Sequence, residues 1–283
     1  MSLEAVKIKR DNKTLNFLYR TIPGRACLKI LCAPWISKVA GIFLDSPLSV
    51  GMIQGFAEKN NINVDDYVDE RYSCFNDFFI RKIRPELRPI DYENNHFIAP
   101  SDGMLSVYHI SDGMILPIKQ SEYTVEELVE NKRIAREYKD GVCLVFRLCV
   151  DNYHRYCYFD NGRKSKNVFI PGILHTVRPV ALNSLPVFTR NSREYTLIKS
   201  ENFGTVLQME VGAMLVGKIQ NHLGAGKCIR GEEKGYFKYG GSTIVMLVKK
   251  GKVHFEEELF DLTDAGFEIP VKMGQKLGVS LEK

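Results

Sequence analysis

Residues 234–256 read KGYFKYGGSTIVMLVKKGKVHFE. The run 243–248 is β-branched and apolar over the length of a strand, Lys249-Lys250-Gly251-Lys252 is a turn, and 253–256 returns as a second strand. Ahead of the first strand stands Gly240-Gly241-Ser242-Thr243. A glycine pair in that position is ordinarily a bulge or turn. It also lets the backbone bend sharply and leaves the Gly241 carbonyl open to the Ser242 hydroxyl, as an intramolecular nucleophilic attack requires.

Working outward, runs of the same kind occur at 104–110, 142–150, 205–211 and 214–219, separated by Gly, Asn and Asp. The ending, 269–278, again reads as turn and strand. One helix is predicted over 124–138. Between Leu15 and Phe56 apolar residues recur at helical spacing, punctuated by Pro23, Pro34 and Pro47, which predicts two or three short amphipathic helices. A helix-start turn is expected at 63–66 and a further helix at 74–81. The expected fold class is α+β, a mainly antiparallel β body with a short amphipathic-helical N-terminal region. The expected division is a membrane-associating part, 1–72, and a mainly-β catalytic domain, 73–283.

Composition narrows the function. At 283 residues and 45% hydrophobic content the chain can bury a large core, which excludes a disordered or fibrous protein. Seven cysteines form an odd set without a CxxC pair, so neither a disulfide framework nor a metal site is suggested. Residues 1–40 carry eight Lys/Arg against Glu4 and Asp11, a net +6 of the whole chain's +5. A basic, apolar-rich leader on a near-neutral body suits an anionic membrane surface better than nucleic acid. No run reaches the roughly 18 apolar residues of a spanning helix, because Lys29, Pro34 and Lys38 interrupt the best stretch, 26–44. The leader is expected to lie on a bilayer.

Three residues carry the candidate chemistry. A serine hydroxyl is a poor nucleophile until a base takes its proton, and a histidine oriented by a carboxylate is the usual arrangement. Asp102 in Ala99-Pro-Ser-Asp-Gly103, His154 in Tyr153-His-Arg155 and Ser242 follow in that order. Taken singly, each has an ordinary reading as turn former, packed histidine or bulge.

Taken together, the motifs resemble the phosphatidylserine decarboxylase family along nearly all of the chain from Phe75 onward. The matching pieces are FNDFFIRKIRPELRPID (75–91), APSDG (99–103), YHR (153–155), Pro171-Gly172, FTRNSRE (188–194), VGAMLVGKI (211–219) and KGYFKYGGST (234–243). The resemblance implies a precursor that cuts itself between Gly241 and Ser242, turning Ser242 into a covalent pyruvoyl cofactor. That group would form a Schiff base with phosphatidylserine and release carbon dioxide, giving phosphatidylethanolamine. It further implies that Asp102 is the carboxylate of the processing triad, that chains 1–241 and 242–283 stay together as a heterodimer, and that the enzyme is peripheral on the cytoplasmic side of the cell membrane.

The chain departs from the family pattern twice. Gly240 stands where a leucine is frequent, and Cys157 stands where the family's Tyr-His-Arg-x-His motif carries its second histidine, the one assigned as processing base. Either His154 takes over as base, or Cys157 or another histidine such as His175 does so. His154 is favoured because imidazole has an ordinary pKa near 6.5 against about 8.5 for a thiol, although Arg155 could lower the thiol. The rival readings are a pyruvoyl decarboxylase of a soluble amino acid, a serine hydrolase and a non-catalytic membrane module. A GxSxG elbow is absent, which argues against the hydrolase.

Overall fold

The computed structural model describes residues 5–7, 13–68, 71–111, 115–118, 121–176, 181, 187–213, 219–222, 224–238, 240 and 242–281. Its centre is the strand Ser242–Val248. Every residue of this strand is buried, which explains an apolar run without alternation: both faces are covered. On one side it pairs antiparallel with Val142–Leu148, Ser242 opposite Leu148. On the other it pairs with Thr205–Val211, Thr243 opposite Val211. The sheet continues outward through Gly103–His109 and Phe267–Val271 on one flank and through Arg193–Ser200 and Gly162–Lys164 on the other. A three-stranded sheet of Ile219–Asn221, Glu233–Phe237 and Arg155–Cys157 and another of Val253–Phe255, Lys276–Ser280 and His96–Ile98 complete the β body. The fold is α+β with a mainly antiparallel body.

The N-terminal region forms helices Lys13–Arg20, Ile22–Leu31, Pro34–Leu44 and Ile53–Lys59, with a tighter 3₁₀ stretch at Pro47–Met52. Proline supplies the start of that stretch, where its missing N–H costs nothing. The region is stitched to the body. Tyr19, Leu28 and Cys32 join the main core, and Leu44 packs with Phe75 and Phe79. Its outer surface is apolar: Ile22, Trp35, Val39, Ile42 and Leu48 are all well exposed. Among the described residues no single helix is long and apolar enough to cross a membrane, and the pair Trp35–Leu44 and Pro47–Lys59 is bent by 87°.

Two expectations differ from what is observed, and a third falls largely outside the described residues. The single helix over 124–138 is two, Val125–Val129 and Lys132–Arg136. Thr124 and Glu127 form a capping box for the first, Glu130 turns left-handed at φ 51°, and the Asn131 side chain caps the second. The leader is not wholly helical, since Val6–Lys7 adds a short strand against Phe267 and Glu268. Of the expected strand 214–219, residues 214–218 lie outside the described residues, and Ile219 begins the strand Ile219–Asn221.

Candidate active site

Ser242 opens the central strand and is fully buried. Among the described residues its Oγ has no hydrogen-bond partner, and neither has Thr243 Oγ1. Buried hydroxyls are almost always satisfied, so two adjacent orphans at a strand entrance mark a place where packing has been subordinated to something else. Gly240 sits at φ 129°, a backbone conformation that suits glycine and strains other residues. The glycine in place of the family's leucine therefore fits the local backbone. Gly241 lies outside the described residues.

His154 is 1% exposed, and its ring lies 4.2 Å from that of Phe79. A tight turn positions it: the Asn152 side chain accepts from Cys149 N at 2.8 Å, and the Asn152 carbonyl accepts from His154 Nδ1 at 2.9 Å. With Nδ1 carrying the proton, Nε2 is an acceptor, and it has no donor partner among the described residues, the Gly240 carbonyl close by being an acceptor itself. Burial, then the nearby Arg81 guanidinium, push the imidazole pKa down to about 3, against the pull of the Asn152 and Gly240 carbonyls. His154 is thus a neutral imidazole close to the Gly240 carbonyl, two residues before Ser242.

Asp102 is placed elsewhere. Gly103 at φ 152° turns the chain after it, and its carboxylate takes Arg88 Nε at 2.7 Å, Arg88 Nη2 at 2.5 Å and Met273 N at 3.0 Å. Its charge acts on Tyr153 and Cys157, and it makes no hydrogen bond to His154. The structure therefore does not bring Asp102 and His154 into direct contact. Imidazole orientation comes from the Asn152 backbone.

Cys157 is buried near Asp102, its N–H donating to Pro100 O at 2.8 Å, and burial pushes the thiol up to about 12. Arg155 does not serve as its cation. That guanidinium binds both Glu233 oxygens at 2.8 and 2.9 Å and the Ile80 carbonyl at 2.6 Å. His175 has a different setting: Nδ1 meets Tyr19 Oη and Cys32 Sγ, each at 3.3 Å, and its N–H donates to Asn191 Oδ1. Burial and then Arg190 hold its ring at about 4. It pins the N-terminal helices to the body.

Several residues escaped notice in the sequence. Arg88 holds Asp102, and Arg81 lies beside His154; both sit inside the 75–91 motif, where only their positions hinted at a role. Beyond the strand neighbour of Ser242, Glu210 takes Lys234 Nζ at 2.8 Å on both oxygens, and Lys234 reaches Asn221 Oδ1 at 2.7 Å. No periodicity announces such a fully buried pair.

A neutral imidazole with a free nitrogen and an unpartnered serine, enclosed in an antiparallel β body, is the equipment of an enzyme and not of a packing core. The chain belongs to the phosphatidylserine decarboxylase family. The family model described as phosphatidylserine decarboxylase matches residues 75–279. The chain is 44% identical over 268 residues to phosphatidylserine decarboxylase proenzyme 2 of Clostridium acetobutylicum, covering 94% of this chain and 92% of that protein. It is 40% identical to the proenzyme of Ruminiclostridium cellulolyticum (96% and 92% covered) and 39% identical to that of Clostridium perfringens (94% and 92%).

Proposed function

We propose that the protein is a phosphatidylserine decarboxylase precursor that cuts itself between Gly241 and Ser242, with His154 as the processing base. The observation that carries this reading is the pair of buried atoms without a hydrogen-bond partner among the described residues, His154 Nε2, on the ring close to the Gly240 carbonyl, and Ser242 Oγ, two residues further along the chain. His154 Nε2 takes the Ser242 proton and the hydroxyl attacks the Gly241 carbonyl, moving the acyl group from nitrogen to oxygen. Elimination of the ester leaves dehydroalanine at 242 and a carboxylate on Gly241. Water converts the dehydroalanine to pyruvoyl with loss of ammonia.

Magnitudes choose the base. A thiol at about 12 is ionised in on the order of one molecule in 10⁵ at neutral pH, whereas the imidazole at about 3 is wholly unprotonated, a weak base but an available one. His175 is neutral too, but its Nδ1 is occupied by Tyr19 and Cys32.

The pyruvoyl group fits here because it is built from the Ser242 atoms, whose hydroxyl no neighbour claims. When formed, it supplies a ketone that takes up the substrate amine and accepts the electron pair released with carbon dioxide. The chain's part is to exclude water around Ser242 and to carry, through His154, the proton that replaces carbon dioxide. Chains 1–241 and 242–283 remain together because Ser242–Val248 is buried and paired on both sides.

The substrate is phosphatidylserine, presented by an anionic bilayer to the 1–72 region, while 73–283 carries the chemistry. A net +6 leader and the exposed Ile22, Trp35, Ile42 and Leu48 support peripheral attachment to the cytoplasmic face of the cell membrane. The test is denaturing mass spectrometry: fragments ending at Gly241 and beginning with pyruvoyl at 242 are expected, with Ser242→Ala remaining whole. A single intact chain with decarboxylase activity would overturn the reading.

A further inference from the structure

Arg81 is a guanidinium buried to 1% exposure, with no acidic partner among the described residues. Four other buried cations are matched by carboxylates, Arg88 by Asp102, Arg147 by Glu268, Arg230 by Asp160 and Lys234 by Glu210, while Lys164 meets the Asn167 amide. Among the described residues Arg81 makes no ion pair. Its rings and carbonyls are neutral: Tyr67 and Phe78 at 4.3 and 4.8 Å from the guanidinium carbon, Tyr67 Oη at 3.1 Å, and the Phe78 and Asp151 carbonyls at 3.3 and 3.4 Å. Its Nε–H has no partner among the described residues. A buried charge held only by long, neutral contacts is costly, and such a cost is kept where an anion arrives.

The position of Arg81 says which anion. Asp151, whose carbonyl it touches, opens the turn that carries His154, and the neighbouring Phe79 stacks on the imidazole at 4.2 Å. On the other side the Phe78 ring meets Tyr72 at 5.3 Å. Tyr72 lines an open groove of about 770 Å³ together with Val50, Ile53, Ala57 and Val64, next to the exposed apolar helices. By successive contacts the order is groove, Tyr72, Phe78, Arg81 and, through Asp151 and Phe79, the imidazole. Along a phospholipid with a serine headgroup it is acyl chains, glycerol, phosphodiester, amine.

Resting on the function proposed above, we infer that Arg81 binds the phosphodiester of the lipid headgroup. A planar fork of N–H donors matches two phosphate oxygens. The substrate carboxylate is the poorer candidate, because a guanidinium gripping it would stabilise the charge that must leave as neutral carbon dioxide and so slow the reaction.

Calorimetry with glycerophosphoethanolamine, which has the phosphodiester and amine but no carboxylate, tests this on purified wild type, Arg81→Lys and Arg81→Gln. Intact mass of each variant serves as the folding check through self-cleavage. Binding by wild type is expected, at least tenfold weaker in Arg81→Gln and intermediate in Arg81→Lys, with KM for phosphatidylserine in mixed micelles rising by a similar factor and kcat changing less than threefold. Equal affinity in wild type and either cleaved variant would overturn the assignment, as would no binding by wild type. Loss of affinity for O-methylserine, which has carboxylate but no phosphate, with glycerophosphoethanolamine unaffected, would give Arg81 to the carboxylate instead. A wild type that is uncut and inactive on phosphatidylserine would remove the parent reading, an outcome visible before any variant is compared.

Discussion

Arg88 grips Asp102 by both carboxylate oxygens, at 2.7 and 2.5 Å, and Asp102 makes no hydrogen bond to the imidazole of His154. The carboxylate therefore acts through the backbone it organises, Met273 and the 99–103 turn, and the two residues should behave as one unit. Removing either partner of a mostly buried pair leaves the other uncompensated, at a cost of about 3 kcal/mol or more. Arg88→Met and Asp102→Asn are each expected to lower the urea midpoint of the Ser242→Ala precursor and to slow self-cleavage in the otherwise wild-type chain. The double variant should be no worse than the weaker single one. Additive losses in a double-mutant cycle would show independent roles.

The identity of the base is open to a direct comparison. His154→Ala should leave the precursor uncut over hours, Cys157→Ser should cut at a rate within about threefold of wild type, and His175→Ala should cut more slowly only as far as it is less stable. A time course on denaturing gels reads all three. Normal cleavage in His154→Ala beside a stalled Cys157→Ser would transfer the role to the thiol.

Two histidines held neutral give the fold an acid sensitivity. His154 at about 3 and His175 at about 4 both lie below the ordinary 6.5 that they regain on unfolding. The unfolded chain then binds more protons as the pH drops below 6.5, so their stabilisation is complete above that value and is lost down towards the folded pKa values. Each histidine contributes a slope of up to about 1.4 kcal/mol per pH unit in this window. Urea midpoints of the Ser242→Ala precursor at pH 7.5, 6 and 5 should fall, and adding His154→Gln should flatten the fall. An unchanged slope would mean that the ring is not held neutral.

Membrane attachment is best tested on the surface. Deleting residues 1–56 would also strip Tyr19, Leu28, Cys32 and Leu44 from the cores they fill. Trp35→Ser with Ile42→Ser touches only exposed side chains, 60% and 66% accessible. Losing about 1 kcal/mol from each on membrane insertion should weaken binding to anionic vesicles roughly 30-fold while leaving self-cleavage intact. Raising salt should weaken the wild type further through the leader's charge. Unchanged vesicle binding would acquit this face.

The central sheet was legible because its evidence is local. Thr243 to Val248 is apolar without alternation, and a strand covered on both faces reads in just that way. The break at Glu130 was hidden because helical periodicity runs on through it, and only Asn131 as a cap betrays it. The short strand at Val6–Lys7 has no pattern of its own and is set by its partner at Phe267 and Glu268. In the site, Ser242, His154 and Asp102 could be named from motifs, whereas what each one touches could not. Asp102 belongs to Arg88, and the imidazole belongs to a backbone carbonyl, because partners far apart or in the main chain leave no mark on residue type.

The seven-residue buried strand also governs what happens after the proposed cut. As one chain, Ser242–Val248 is delivered between its neighbours by a covalent tether, and folding is unimolecular. Once severed, the 42-residue fragment 242–283 that contains it must find its slot from solution, against a drop in effective concentration from the millimolar range of a tethered segment to that of the protein itself. The mature molecule would thus keep a shape it can no longer readily regain, its lifetime set by how slowly the strand pulls out.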